Sequence, residues 1–252
     1  IWFGTRGSQV QILPPRPKMN FFYKINLLTN LIKYRGLLIK KQYSKNSEDK
    51  FLIKFFRNKL TGTYVDIGAF HPYRFSNTYL LYNQGWNGLN IDINKKSIDL
   101  FKIARPNDVN LNVAVGDRNK KQIFYYKKKL YPMNTLNKDF AKRYIDKNIK
   151  KNQIMTYTFD FIIKKFYNQK KFDLLDIDVE GNEYNVIKKI NFNKVKFSLI
   201  LIEITNFNTK SKENARKIRN LLAKYGYKYI KSFGETSVYK NISYKYNEKE
   251  KS

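Results

Sequence analysis

The chain has 252 residues, 42% hydrophobic and 16% aromatic, which suits one α/β domain with extensions and excludes a disordered chain. It contains no cysteine, so disulfide scaffolds, cysteine–zinc sites and thiol catalysis are excluded. Lys+Arg 50 against Asp+Glu 20 gives +30, which points towards a polyanion unless lysine is inflated for another reason. Only ten of the basic residues are arginine, and Lys, Asn, Ile, Tyr and Phe, which share AT-rich codons, are all abundant. A codon bias with a solvated lysine surface is the preferred reading. A nucleic acid is the alternative partner.

Residues 1–18 hold three of the six prolines and no acidic residue, and Met19 follows, so they read as a non-native or disordered extension. Residues 19–60 form an N-terminal helical segment. Within it, 20–42 mixes apolar and basic residues and could also lie on a membrane surface. Helix 47–60 has Ser47 as its N-cap and acids in its first turn. From residue 61 to 242 strands alternate with helices. TYVDI (63–67), GLNID (88–92), VNLNVAV (109–115), QIFYY (122–126), FDLLDID (172–178) and FSLILIEI (197–204) read as strands. Helices fall at 77–84, 95–104, 158–167, 182–190 and 210–225, and residues 127–151 form a basic excursion of loop and helix. YKYIKS and SVYKN close the domain as a hairpin, and 243–252 is a charged tail. This α/β order implies a mostly parallel sheet with helices on both faces. No apolar stretch reaches the ~18 residues of a membrane span, and a cytoplasmic setting is expected.

Asp66 and Asp92 end the first two strands, 26 residues apart. In open parallel sheets ligands bind beyond the carboxyl ends of the strands. Gly68 lets the backbone approach a ligand, and Asp92 can accept both hydroxyls of a ribose. A dinucleotide or ATP site would need glycines cradling phosphate, whereas D-I-G-A-F-H offers one glycine and an acid. S-adenosylmethionine carries an amine, a sulfonium and a ribose diol but no phosphate, so the electrostatics favour it. The bland alternative is that Asp66 caps its turn and Asp92 caps helix 95–104.

VDIGAFHPYRFSNT, QGWNGLNIDIN, NVAVGD, FDLLDIDVEGNEYNVI and LILIEI resemble the FkbM family of S-adenosylmethionine-dependent methyltransferases over about residues 62–205. The resemblance implies a Rossmann-like seven-stranded sheet, with the C-terminal antiparallel hairpin at its edge, and O-methylation of a sugar, glycan or other small metabolite. It assigns Asp66 and Gly68 to the cofactor turn, Asp92 to the ribose, and Asp178, Glu180, Gly181 and Glu183 to the acidic motif after the fourth strand. A-F-H-P replaces the family's frequent A-N-x-G, and Asp176 stands where lysine is frequent. The expected cofactor set is Asp66, Gly68, Ala69, Phe70, Asn77, Asp92 and Ile93.

A hydroxyl acceptor must lose a proton, so a base helps. The candidates are His71, Asp178, Glu180 and Glu203. His71 has the most suitable ordinary pKa, although before Pro72 it could instead bond its own turn. Asp176, Asp178 and Glu180 fall at spacing two and would share one face of an extended segment. A divalent cation bridging Asp178, Glu180 and Glu203 would suit their hard oxygens, but no spacing demonstrates one. Arg74 and the basic 118–129 stretch could contact an anionic acceptor, while Trp86 and Tyr82 read as packing. An RNA-directed methyltransferase and a non-catalytic basic nucleic-acid-binding domain are the rival functions, and both rest on charge alone.

Overall fold

Strong apolar runs and short turn signals decide where the strands lie in this computed structural model, which describes residues 19–35, 43–145, 148–167, 171–205 and 208–244. The expected extension 1–18, Gly36 and most of the tail lie outside the described residues. In chain order the elements begin with α1 (Phe21–Arg35), α2 (Glu48–Phe55), β1 (Thr63–Ile67), α3 (Tyr79–Asn83), β2 (Asn87–Ile91) and α4 (Lys95–Ala104). Then come β3 (Val109–Leu111), β4 (Ala114–Val115), β5 (Lys120–Tyr126), α5 (Lys138–Tyr144), β6 (Lys150–Tyr157) and α6 (Phe159–Ile162). The chain closes with β7 (Lys171–Ile177), α7 (Glu183–Ile187), β8 (Lys196–Glu203), α8 (Thr209–Lys224), β9 (Tyr227–Phe233) and β10 (Thr236–Asn241).

Seven strands form one sheet in the order β3-β2-β1-β7-β8-β10-β9. The first five run parallel and β10 and β9 are antiparallel, as the expected terminal hairpin requires. Each central strand is buried on both faces, and alternate residues feed two cores. Val65, Leu175 and Ile200 pack with Phe159, Ile218 and Leu222 on one side. Tyr64, Leu174 and Leu199 pack with Leu52, Phe56 and Trp86 on the other. Trp86 is 1% exposed, so the packing role read for it holds. The first strand order reverses between β1 and β7, and their carboxyl ends open the crevice that carries the site.

Four local expectations change. Residues 150–157, partly read as loop, form β6, which with β4 and β5 makes a separate three-stranded sheet. Most of β6 is solvent-open, so no apolar alternation marks it in the sequence. The strand expected at 109–115 breaks at Asn112, whose side-chain amide donates to the carbonyls of Asp92 and Ile93. Helix 158–167 keeps α-helical winding only to Ile162 and is wound wider from Ile163 to Tyr167. Helix 47–60 stops at Phe55, and Ser47 provides no side-chain cap. Instead the Asp49 carboxylate accepts from the backbone of Tyr43 and Ser44 and from the Ser44 hydroxyl, tying the segment before the helix to its first turn.

Helix α1 has apolar residues on two faces, which explains their scatter in the sequence. Leu27 and Leu31 pack on Leu100 of α4. Phe21, Ile25 and Ile32 stand 69%, 41% and 69% exposed on the opposite side.

Candidate active site

The turn after β1 is built around a close backbone crossing. Gly68 has φ +90, and a Cβ on it would lie 1.6 Å from the carbonyl oxygen of Asp178, so only glycine fits. Its N–H and that of Ala69 both donate to the Ile91 carbonyl, at 2.8 and 3.2 Å, and the Asp178 N–H donates to the Ile67 carbonyl at 2.9 Å. These bonds bring the ends of β1, β2 and β7 together. Asp92, just past β2, accepts from the backbone N–H groups of Phe70 (2.8 Å) and Asn94 (2.6 Å). Burial nevertheless pushes its carboxyl up to about 6, against the lowering effect of those donors.

Beside the turn opens a cleft of about 460 Å³. Of the expected cofactor residues, Gly68, Asp92 and Ile93 line it, and Asp178 joins them. Ile91, Val113 and Val115 give it an apolar surface. Asn94 and Asn134, which the sequence reading missed, complete part of the wall and hydrogen-bond each other. No phosphate cradle of successive glycines is present in the turn. Apolar floor and carboxylate ends suit an adenosine that carries an amine and a cation.

Asp66, Ala69, Phe70 and Asn77 do not line this cleft. Phe70 is buried, stacks on Phe75 at 6.3 Å and contributes its backbone N–H to Asp92 instead of blocking the opening. Asp66 accepts from the Thr78 hydroxyl at 2.8 Å, and Thr78 in turn accepts from Arg105 at 2.8 Å. Arg105 is fully buried, also donates to the Pro72 carbonyl and the Ser76 hydroxyl, and lies over the Phe101 ring. Burial raises Asp66 to about 6, and the Thr78 hydrogen bond and the Arg105 charge limit the rise. Asn77 donates to Asp176 at 2.9 Å. Asp176 pairs in register with Asp66, and burial followed by the Asp66 charge drives its carboxyl well above the ordinary range. These residues support the turn from below.

His71 is not placed to be a base. Its Nδ1 accepts from the backbone N–H groups of Tyr73 and Arg74, both at 3.0 Å, and its Nε2 lies 3.0 Å from Oδ1 of Asn30. That pattern fixes the neutral tautomer with the proton on Nε2 and leaves no free lone pair. Burial, then the charges of Arg105 and Arg74, lowers its pKa to about 3. Arg74 is likewise occupied, over the rings of Tyr34 and Phe75.

The remaining expected base candidates do meet. The strand ends at Ile177, so the shared-face argument fails beyond that residue: Asp176 stays under Asp66 while the chain curls and Glu180 takes φ 57. The curl brings Glu180 and Asp178 to Glu203 at the end of β8, with one carboxylate oxygen of each within 4.8 Å of the others. Glu183 folds back to accept from the N–H groups of Gly181 and Val179, at 2.9 and 3.3 Å. The Thr135 hydroxyl and the Asn137 amide hold the carbonyls of Glu180 and Gly181 at 2.8 and 2.6 Å. Burial is the first cause of raised pKa values throughout, with neighbouring carboxylates adding to it: about 9 for Glu180, about 7 for Glu183 and well above the ordinary range for Glu203. Asp178 is raised too, by burial, but its pairing with Glu203 lowers it and raises Glu203, which makes Asp178 the carboxylate of the pair that keeps its charge.

A family model, the methyltransferase FkbM domain, matches residues 66–229. The chain belongs to the FkbM methyltransferase family. It is an S-adenosylmethionine-dependent methyltransferase, and the FkbM match spans every element from the end of β1 into β9. Among solved structures, a putative O-methyltransferase from Klebsiella pneumoniae has 9% identity and a TM-score of 0.47, covering 91% of this chain and 92% of that one. An O-methyltransferase from Bacillus cereus in complex with SAH has 10% identity and a TM-score of 0.42, covering 89% and 93%. No curated protein matches the sequence. Among the described residues of this FkbM protein, no helix is long and apolar enough to cross a membrane.

Proposed function

We propose that this FkbM methyltransferase acts on oxygen, at a hydroxyl of a sugar, glycan or other small metabolite. The observation that carries the reading is the position of Asp178, which borders the cofactor cleft and also touches the cluster of Glu180 and Glu203. S-adenosylmethionine supplies an electrophilic methyl carbon and leaves with the electron pair of the broken bond on sulfur. The acceptor oxygen forms the new bond to carbon, and its proton needs a destination. Asp178 is that destination in this reading, because burial and neighbouring carboxylates raise Glu180 to about 9 and Glu203 well above the ordinary range. Asp92 holds the ribose diol in this reading, and the cleft walls exclude water and fix the line of approach.

Seven carboxylates crowd this edge of the sheet: Asp66, Asp92, Asp176, Asp178, Glu180, Glu183 and Glu203. Of these, Asp92 and Asp178 line the cleft and disfavour a phosphodiester backbone there, which favours a neutral hydroxylated acceptor over RNA despite the net charge of +30. The test is transfer of labelled methyl from S-adenosylmethionine to a panel of sugars, glycans, small phenols and RNA, with the product bond identified by NMR. O-methylated product, and a loss of roughly 10²–10⁴ in kcat for Asp178→Asn, is expected. Labelled RNA with unlabelled hydroxyl compounds would overturn the reading.

A further inference from the structure

The three carboxylates at the ends of β7 and β8 have the geometry of an ion site. Oxygens on opposite sides of a hard divalent cation, each 2.0–2.4 Å from it, lie roughly 4–5 Å apart. One oxygen each of Asp178, Glu180 and Glu203 already falls within 4.8 Å of the other two. A second observation is independent of that spacing. Glu203 is 8% exposed, and while it shares a hydrogen bond with Asp178, its Oε2 has no partner among the described residues. A buried carboxylate oxygen with nothing to bind is destabilising, and a cation would satisfy it.

We propose that Asp178, Glu180 and Glu203 bind one divalent cation of the Mg²⁺ or Mn²⁺ class. The chemistry of the donors selects the ion. The chain has no cysteine and its single histidine is engaged in the turn after β1, so soft or imidazole-seeking metals find no ligand here. Lys45 supplies a positive charge that acts on Asp178 and Glu180, but Glu183, Glu235 and Glu48 oppose it.

The position assigns the ion a task. Asp178 lines the cofactor cleft, while Glu203 lines a neighbouring cavity of about 420 Å³ with Asn137, Glu183 and Asn208. A cation between the two would bind the acceptor oxygen and favour its deprotonated form. This task rests on the hydroxyl-acceptor reading above. The binding itself does not.

The experiment uses the full chain stripped with EDTA and then titrated with Mn²⁺, following the EPR signal of free Mn²⁺. About one Mn²⁺ per chain is expected, displaced by Mg²⁺. Glu203→Gln and, separately, Glu180→Gln should each weaken binding at least ~10-fold, whereas Glu213→Gln on α8 should not. The isosteric Glu203→Gln exchange should leave the metal-free protein at least as heat-stable as the parent. Absence of Mn²⁺ binding at millimolar concentration, or binding indifferent to both cluster substitutions, overturns the site. Calorimetry with S-adenosylhomocysteine and the acceptor panel are separate measurements: their failure would sink the methyl-transfer reading and leave the ion result standing.

Discussion

The carbonyl oxygen of Asp178 occupies the space that a side chain on Gly68 would need, 1.6 Å from an ideal Cβ. One backbone crossing therefore sets both the cofactor turn and the start of the acidic loop. Gly68→Ala should lower the melting temperature and abolish S-adenosylhomocysteine binding in calorimetry. Gly85 also has positive φ, +94, but nothing lies within 4 Å of its Cβ position. Gly85→Ala should therefore cost only the backbone strain, roughly 1 kcal/mol, and spare the cofactor. Equal effects of the two substitutions would refute the crossing.

Asp92→Ala removes the acceptor for the N–H groups of Phe70 and Asn94 as well as the proposed ribose contact. S-adenosylhomocysteine affinity should fall at least ~100-fold, the equivalent of about 3 kcal/mol, the upper range for hydrogen bonds to a charged group. Retained affinity, measured by calorimetry, would move the ribose elsewhere.

His71→Ala should behave as a structural mutation. Loss of the imidazole orphans the N–H groups of Tyr73 and Arg74, at a cost of roughly 1–3 kcal/mol in urea unfolding. The pH profile of kcat should keep its shape. A collapse of kcat with unchanged stability would restore the base role.

Stability should fall as pH rises from 6.5 to 9. The folded protein holds protons on Glu183 to about 7 and on Glu180 to about 9, while an unfolded glutamate releases them near 4.5. Each proton held only by the folded state lowers the unfolding free energy by about 1.4 kcal/mol per pH unit across that window. Below 6.5 His71 acts in the opposite sense, because the folded state keeps it neutral down to about 3. Melting curves from pH 5 to 9 should thus decline on the alkaline side, and Glu180→Gln should flatten the decline. A rising curve between pH 7 and 9 would contradict the raised carboxylates.

The parallel sheet was legible because TYVDI, FDLLDID and FSLILIEI are short segments rich in apolar residues that alternate with helices, and each is buried on both faces. Asp66, Asp92 and Glu203 stand out in the sequence as acids at or beside strand ends; Asp92 lines the cleft, Asp66 lies outside it bonded to Thr78, and Glu203 meets Asp178 and Glu180. What stayed hidden depends on contacts distant in sequence. Arg105 sits before a proline just past α4, and nothing local says that it threads beneath Thr78 to support Asp66. Asn134 and Asn137 lie in a basic stretch whose composition masks their part in the cleft wall and acidic loop. His71 was misread because chemistry suggested a base, whereas the turn consumed both of its nitrogens. The spacing of Asp176, Asp178 and Glu180 misled because alternation ends where the strand ends.

Thr135 and Asn137 belong to the segment between β5 and α5, yet they carry the carbonyls of Glu180 and Gly181. The pose of the acidic loop therefore depends on a segment outside the seven-stranded sheet. Any transplant must bring the hydroxyl and the carboxamide with it, or the acids will lose their pose.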